Sequence, residues 1–187
     1  GLYPAPTGQE VLKALAGDAD EAVAFAALRT LWWRGGPVDG VLPLARRRIE
    51  AGLAGPQAAE VLAEAGEAAD APALAAMLDS SRAELRRLGL RGLARLGALQ
   101  ADALLAALAD PSEQVVLEAL AALTPQSLAS HRQAVVALAD SLHDPVAEAA
   151  RQALAPLRPP DEPGQARFDL ACEHPYVRWR TLRALAA

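Results

Sequence analysis

Three residue types in this chain could carry chemistry: histidine, cysteine, and arginine clustered beside tryptophan. His131, His143 and His174 are the three imidazoles and Cys172 the single thiol. General acid–base work needs such a group within hydrogen-bond reach of the proton it moves. Nucleophilic catalysis needs a nucleophile, a base and an orienting partner. The three histidines are dispersed, each at or near an expected helix start, and so read as solvent-exposed or capping residues. HExxH, CxxC and the other zinc spacings are missing, as are the Walker and GxGxxG phosphate loops. The stretch "GLRGLARLG" (89–97) carries glycines but stays within helical periodicity. The expectation is a chain that is not an enzyme, with no catalytic residue, metal or cofactor.

The arginines are more informative. Arg87, Arg91 and Arg95 recur every fourth residue in "SSRAELRRLGLRGLARLG" (80–97) and share one helical face. One reading is an anion-binding stripe for an acidic protein segment or a phosphate. The other is a solvated face paired with acids such as Glu60, Glu64 and Glu118. The C-terminal "HPYVRWRTLRALAA" (174–187) sets Trp179 between Arg178 and Arg180, with Arg183 about one turn further on. Arginine stacked on tryptophan is a common interface device. Trp179 could equally cover the end of the fold or pack on a following repeat. Trp32 and Trp33 end an earlier helix about 100° apart, so unequal burial is expected. "ARRRIE" (45–50) falls on a first helix, where a solvated face is expected. The candidate partner-binding set is Arg87, Arg91, Arg95, Trp179, Arg180 and Arg183.

These side chains need elements to position them. The chain of 187 residues is 52% hydrophobic yet only 4% aromatic, so its apolar content is mainly Ala and Leu, both strong helix formers. β-branched residues are scarce, which leaves strands without support. Leu28, Leu62, Leu90, Leu120, Leu154 and Leu182 recur at about 31-residue spacing. The residues five before and three after each fall near one helical stripe. Most of these helices follow a break with start signals, among them "GDADE", "AGPQ", "LDSSRAE", "ADPSEQ" and "HDPVAE". A second apolar helix precedes each break. The expectation is one domain over 1–187, built of two-helix units at 8–36, 37–66, 67–97, 98–124, 125–158 and 165–187. A Pro-rich break is expected at 158–164, and "WWRGGP" (32–37) ends the first unit.

Stretches such as "LADPSEQVVLEALAAL" (108–123), "LHDPVAEAARQALAPL" (142–157) and "HPYVRWRTLRALA" (174–186) resemble the short bacterial HEAT-like repeat. That family's early Val-Arg pair appears as Val177-Arg178 and, loosely, Leu85-Arg86, whereas Ala24, Ala58, Val116 and Ala150 hold the arginine position elsewhere. A tetratricopeptide array is the structural alternative, but its Trp-Leu-Gly-Tyr spacing is missing. The resemblance implies an all-α, right-handed solenoid of about six repeats, with the second helices lining a concave face. It implies a non-catalytic scaffold or regulatory module that grips a protein partner there, one with an acidic segment.

The alternative is a nucleic-acid-binding protein related to the alkylpurine DNA glycosylases. Four residues after Trp32, Trp33 and Trp179, however, stand Gly36, Pro37 and Arg183, none of them the expected acid. The net charge of −5 also disfavours a phosphate-dominated partner. The same repeat occurs in phycobilin lyase relatives, which implies a third possibility, a small-cofactor lyase or chaperone. No membrane span is expected, since no stretch approaches about 18 uncharged apolar residues. One cysteine and no signal peptide suggest a cytoplasmic protein. A start at Gly1 suggests a chain cut from a longer one that carries further repeats or domains.

Overall fold

A computed structural model describes residues 7–53, 55–155, 178 and 182. Among them every regular element is helical, with ten α-helices, one 3-10 turn and no strand. The chain divides into two compact units, Gly1–Ala98 and Leu99–Ala187. The division lies one residue past the expected boundary between the third and fourth repeats.

The first unit holds α1 (Gly8–Leu15), α2 (Glu21–Trp33), α3 (Val41–Glu50), α4 (Pro56–Ala65), a 3-10 turn (Ala68–Asp70), α5 (Ala71–Met77) and α6 (Ala83–Arg95). Neighbours pair as α1 with α2, α3 with α4 and α5 with α6, and α4 also packs along α6. The described part of the second unit holds α7 (Ala101–Leu108), α8 (Glu113–Ala121), α9 (Pro125–Ala139) and α10 (Asp144–Leu154). There α7 pairs with α8 and α9 with α10, while α8 lies on α10 and α7 on α9.

The leucine series falls on the second helix of each pair. Leu62, Leu90, Leu120 and Leu154 are buried, as a stripe facing a shared core requires. Leu28 is only half-buried and Val23 is exposed, because α1, which buries no residue of its own, covers α2 thinly. Leu182 is helical but 56% exposed, not buried as its place in the series predicts. The break at 158–164, Cys172 and His174, and Trp179, Arg180 and Arg183 lie outside the described residues, as does the sixth unit apart from Arg178 and Leu182.

The helix starts differ in detail from expectation. Among the described second helices only α2 is capped by its own N-cap side chain, Asp20, which accepts from Ala22 N–H at 2.8 Å. Elsewhere the polar residue acts one step earlier. Ser80, Asp110 and Ser141 accept the N–H of Arg82, Ser112 and His143, each of which is an N-cap. Asp18 does the same for Asp20. This two-residue side-chain turn aims the chain into the helix. The α4 start uses Gly55 and Pro56 instead. At "WWRGGP", Gly35 takes φ +87° and the Gly36 N–H returns to Leu31 O at 3.0 Å, which closes α2.

His131 departs from its expected exposure. It sits inside α9 and is buried, with Nδ1 2.7 Å from Ser127 O and Nε2 3.1 Å from Ala101 O. It therefore ties α9 to the first turn of α7. His143 is exposed at the N-cap of α10, in keeping with its expected place.

Candidate functional site

The first unit carries its charges in an ordered way. Helices α2, α4 and α6 are linked by ion pairs from their polar faces. Arg29 of α2 reaches Glu60 of α4, with Nε 3.1 Å from the carboxylate. One turn along α4, Glu64 receives Arg91 Nη1 of α6 at 3.1 Å. Residues 60 and 64 share a face of α4 because they are four apart, and α6 packs alongside. All four side chains are about one-third exposed, so each pair adds up to about 1 kcal/mol to stability. The result is a half-exposed surface of alternating charge.

The arginine series 87, 91 and 95 does lie on one helix, but its members have different tasks. Arg91 faces Glu64. Arg95 donates Nε to Ala63 O at 2.8 Å and Nη2 to Gly66 O. The Ala63 carbonyl belongs to the last turn of α4, where backbone acceptors lack intrahelical partners and the dipole favours a cation. Arg95 is thus the C-terminal cap of the neighbouring helix. Arg87 is half-buried on α6. Arg86, one residue off the series, donates to Ser80 O and Ser81 O at 2.9 and 3.1 Å, bracing the turn that starts its own helix.

The run Arg46–Arg48 is not a solvated face. Successive positions on α3 point about 100° apart, so three arginines diverge. Arg46 grips Asp70 with Nε on one carboxylate oxygen at 2.8 Å and Nη2 on the other at 2.9 Å, and also reaches Glu67 at 2.8 Å. Arg47 meets Glu21 at 3.4 Å across exposed surface. Arg48 stacks over the Phe25 ring, 5.2 Å from its centroid.

Asp70 is the buried acid of this unit, 6% exposed. Its Oδ2 also accepts the Glu67 N–H at 2.7 Å, closing the turn before α5. The doubly bonded Arg46 guanidinium holds its carboxyl below the usual carboxylate range. The Glu67 N–H and the Arg95 charge act in the same sense, and burial opposes them. The same carboxylates raise the Arg46 pKa further above its ordinary value. Sequence reasoning missed this node. Its signal is a lone Asp before an Ala-Pro helix start, 24 residues from the arginine it needs.

Trp32 is half-buried and Trp33 is 55% exposed, with ring centroids 5.0 Å apart, which matches the unequal burial expected of adjacent helical positions. Among the described residues no group of three or more His, Cys, Asp or Glu is placed to hold a metal ion. No helix among them is long and apolar enough to cross a membrane.

No family model and no curated protein matches the chain. Among solved structures, an engineered protein determined by a structural genomics consortium aligns with 97% of this chain and 96% of its own. It shares 18% identity, with a TM-score of 0.46.

Proposed function

We propose that the chain is a non-catalytic protein-interaction module, a right-handed solenoid of HEAT-like helix pairs whose second helices present the binding face. The observation that carries this reading is the repeated packing within each unit. First and second helices pair, and second helices lie side by side, α4 on α6 and α8 on α10. A helix pair of this size cannot bury its apolar stripe alone, so stacking supplies the core and leaves an extended polar face for a partner. In the first unit that face carries Arg91, paired with Glu64 of α4, and half-buried Arg87 of the same helix. Arg95 is bonded to backbone carbonyls at the α4 terminus, so the proposed contact centres on Arg87 and Arg91, where an acidic segment would compete with Glu64 for Arg91. Trp179, Arg180 and Arg183, which lie outside the described residues, are proposed from the sequence as a separate partner contact.

The test compares wild type with an Arg87→Glu/Arg91→Glu variant in pull-downs from nuclease-treated lysate of the source organism, read by mass spectrometry. A protein held by wild type and lost by the variant is the expected result. Capture that disappears on nuclease treatment would instead favour nucleic acid. Arg91→Gln alone should lower the unfolding free energy from urea melts by less than about 1 kcal/mol, because its pair with Glu64 is partly solvated. A larger loss would mean that the ion pair is structural and would disqualify the position as a clean binding probe.

A further inference from the structure

Beside the second-helix face, between α2 and the α3–α4 connection, lies a half-open cavity of about 310 Å³. That is at the small end of the range typical of ligand sites, about 300–1,000 Å³. Buried Phe25 and Ala58 form its apolar wall, with Ala26 and Leu53 at the margin. Leu53 is 61% exposed and is fixed beside Arg48 by its N–H bond to Arg48 O at 2.8 Å. The cavity's charged lining residues are Arg29 and Arg48, with no carboxylate among the lining residues. Arg29 is neutralised by Glu60 from outside the lining. Arg48 is not. Its contact with the described residues is the face of Phe25, and such a contact consumes none of its five N–H donors. The site therefore offers one net positive charge, half-buried on an aromatic ring, beside apolar wall.

We propose that this cavity binds a carboxylate carried on an apolar stem, with Arg48 as the anion-binding residue and Phe25, Leu53 and Ala58 receiving the stem. A guanidinium suits a carboxylate because its planar donors match two oxygens at once. Desolvation against Phe25 strengthens that bond relative to an exposed arginine. The proposal does not rest on the partner-binding reading above, since Arg48 belongs to α3, a first helix. The carboxylate has two possible sources, a free small acid or the C-terminus of a peptide.

The test is a chemical-shift titration of the full chain with phenylacetate and phenylacetamide, and with an acetylated Ala-Ala-Phe peptide as free acid and as amide. Both acids, or one of them, should bind and the matching amide should not. The tighter acid identifies the source. Arg48→Gln should weaken binding by about tenfold or more, the scale of a lost charge-assisted hydrogen bond, while Arg47→Gln leaves it unchanged. Ala26→Phe, at an exposed position on the margin, should block the cavity while leaving Arg48 in place, and thermal melts confirm that each variant is folded. Equal binding of acid and amide would overturn the proposal. So would undiminished binding to Arg48→Gln, or no binding of either acid up to roughly 10 mM.

Discussion

Asp70→Asn should lower the stability of the first unit by about 1–3 kcal/mol at neutral pH, because Arg46 loses its doubly bonded, buried carboxylate while keeping the exposed Glu67. Asparagine keeps the shape, but it can accept from Arg46 or the Glu67 N–H through one oxygen only, where the carboxylate uses two. The pH dependence has a definite sign. The folded-state pKa of Asp70 lies below its unfolded value. Its stabilisation is therefore fully present above the unfolded pKa, near 4, and is lost as pH falls towards the folded value. In that window the unfolded chain binds one more proton than the native one, so stability rises with pH. Urea melts of wild type and Asp70→Asn should show a gap that is constant from about pH 7 to 5 and narrows below about pH 4. A gap that stays constant into acid would mean that Asp70 is not the group titrating. A double-mutant cycle with Arg46→Gln should return a coupling of about 1–3 kcal/mol, as expected of two groups in direct contact.

What could be read in advance follows from how far apart the interacting residues lie. The breaks before α2, α6, α8 and α10 are local. A polar residue, two positions and a helix start suffice, so "GDADE" or "ADPSEQ" announces its element without tertiary context. The buried leucines are legible for the same reason, since the stripe is a property of one helix. The tasks of the arginines are not local. Whether Arg95 points to solvent or caps α4 depends on α6 lying beside α4 in a register that sets residue 95 next to 63 and 66, about thirty positions away in the chain. The three arginines of α3 look equivalent in sequence. They separate into a half-buried clamp, a surface pair and an aromatic stack only once α2 and the turn at Glu67–Asp70 are packed against α3. His131 misled for a related reason. Read as a helix start it should be exposed, but α9 begins at Pro125, which leaves His131 mid-helix under a carbonyl of α7.

Gly89→Ala and Gly92→Ala should each destabilise the first unit by about 1–3 kcal/mol, the usual cost of overpacking, although helix propensity alone argues the opposite. In an open helix interior, replacing glycine with alanine stabilises by about 1 kcal/mol, because glycine has more backbone freedom to lose. Packing reverses the sign here. A Cβ at Gly89 would stand 2.6 Å from Leu74 O and 3.0 Å from Met77 Cβ, so α5 would have to move. At Gly92 it would stand 2.7 and 2.8 Å from the two Leu74 methyls and 3.0 Å from Ala63 Cα. Leu74 is fully buried and has nowhere to turn. The two bare positions are therefore what lets α6 lie against both α5 and α4. That close approach is also what brings Arg95 within reach of the α4 terminus. Gly8→Ala is the internal control, since at the start of exposed α1 a Cβ there meets nothing within 4 Å. It should be neutral or slightly stabilising. Thermal melts of the three variants decide the matter. Losses of about 4 °C or more at 89 and 92, with none at 8, are expected for a unit of this size. A rise in melting temperature at either buried glycine would mean that α5 and α6 do not meet as closely as described, and the Arg95 cap on α4 would fall with it.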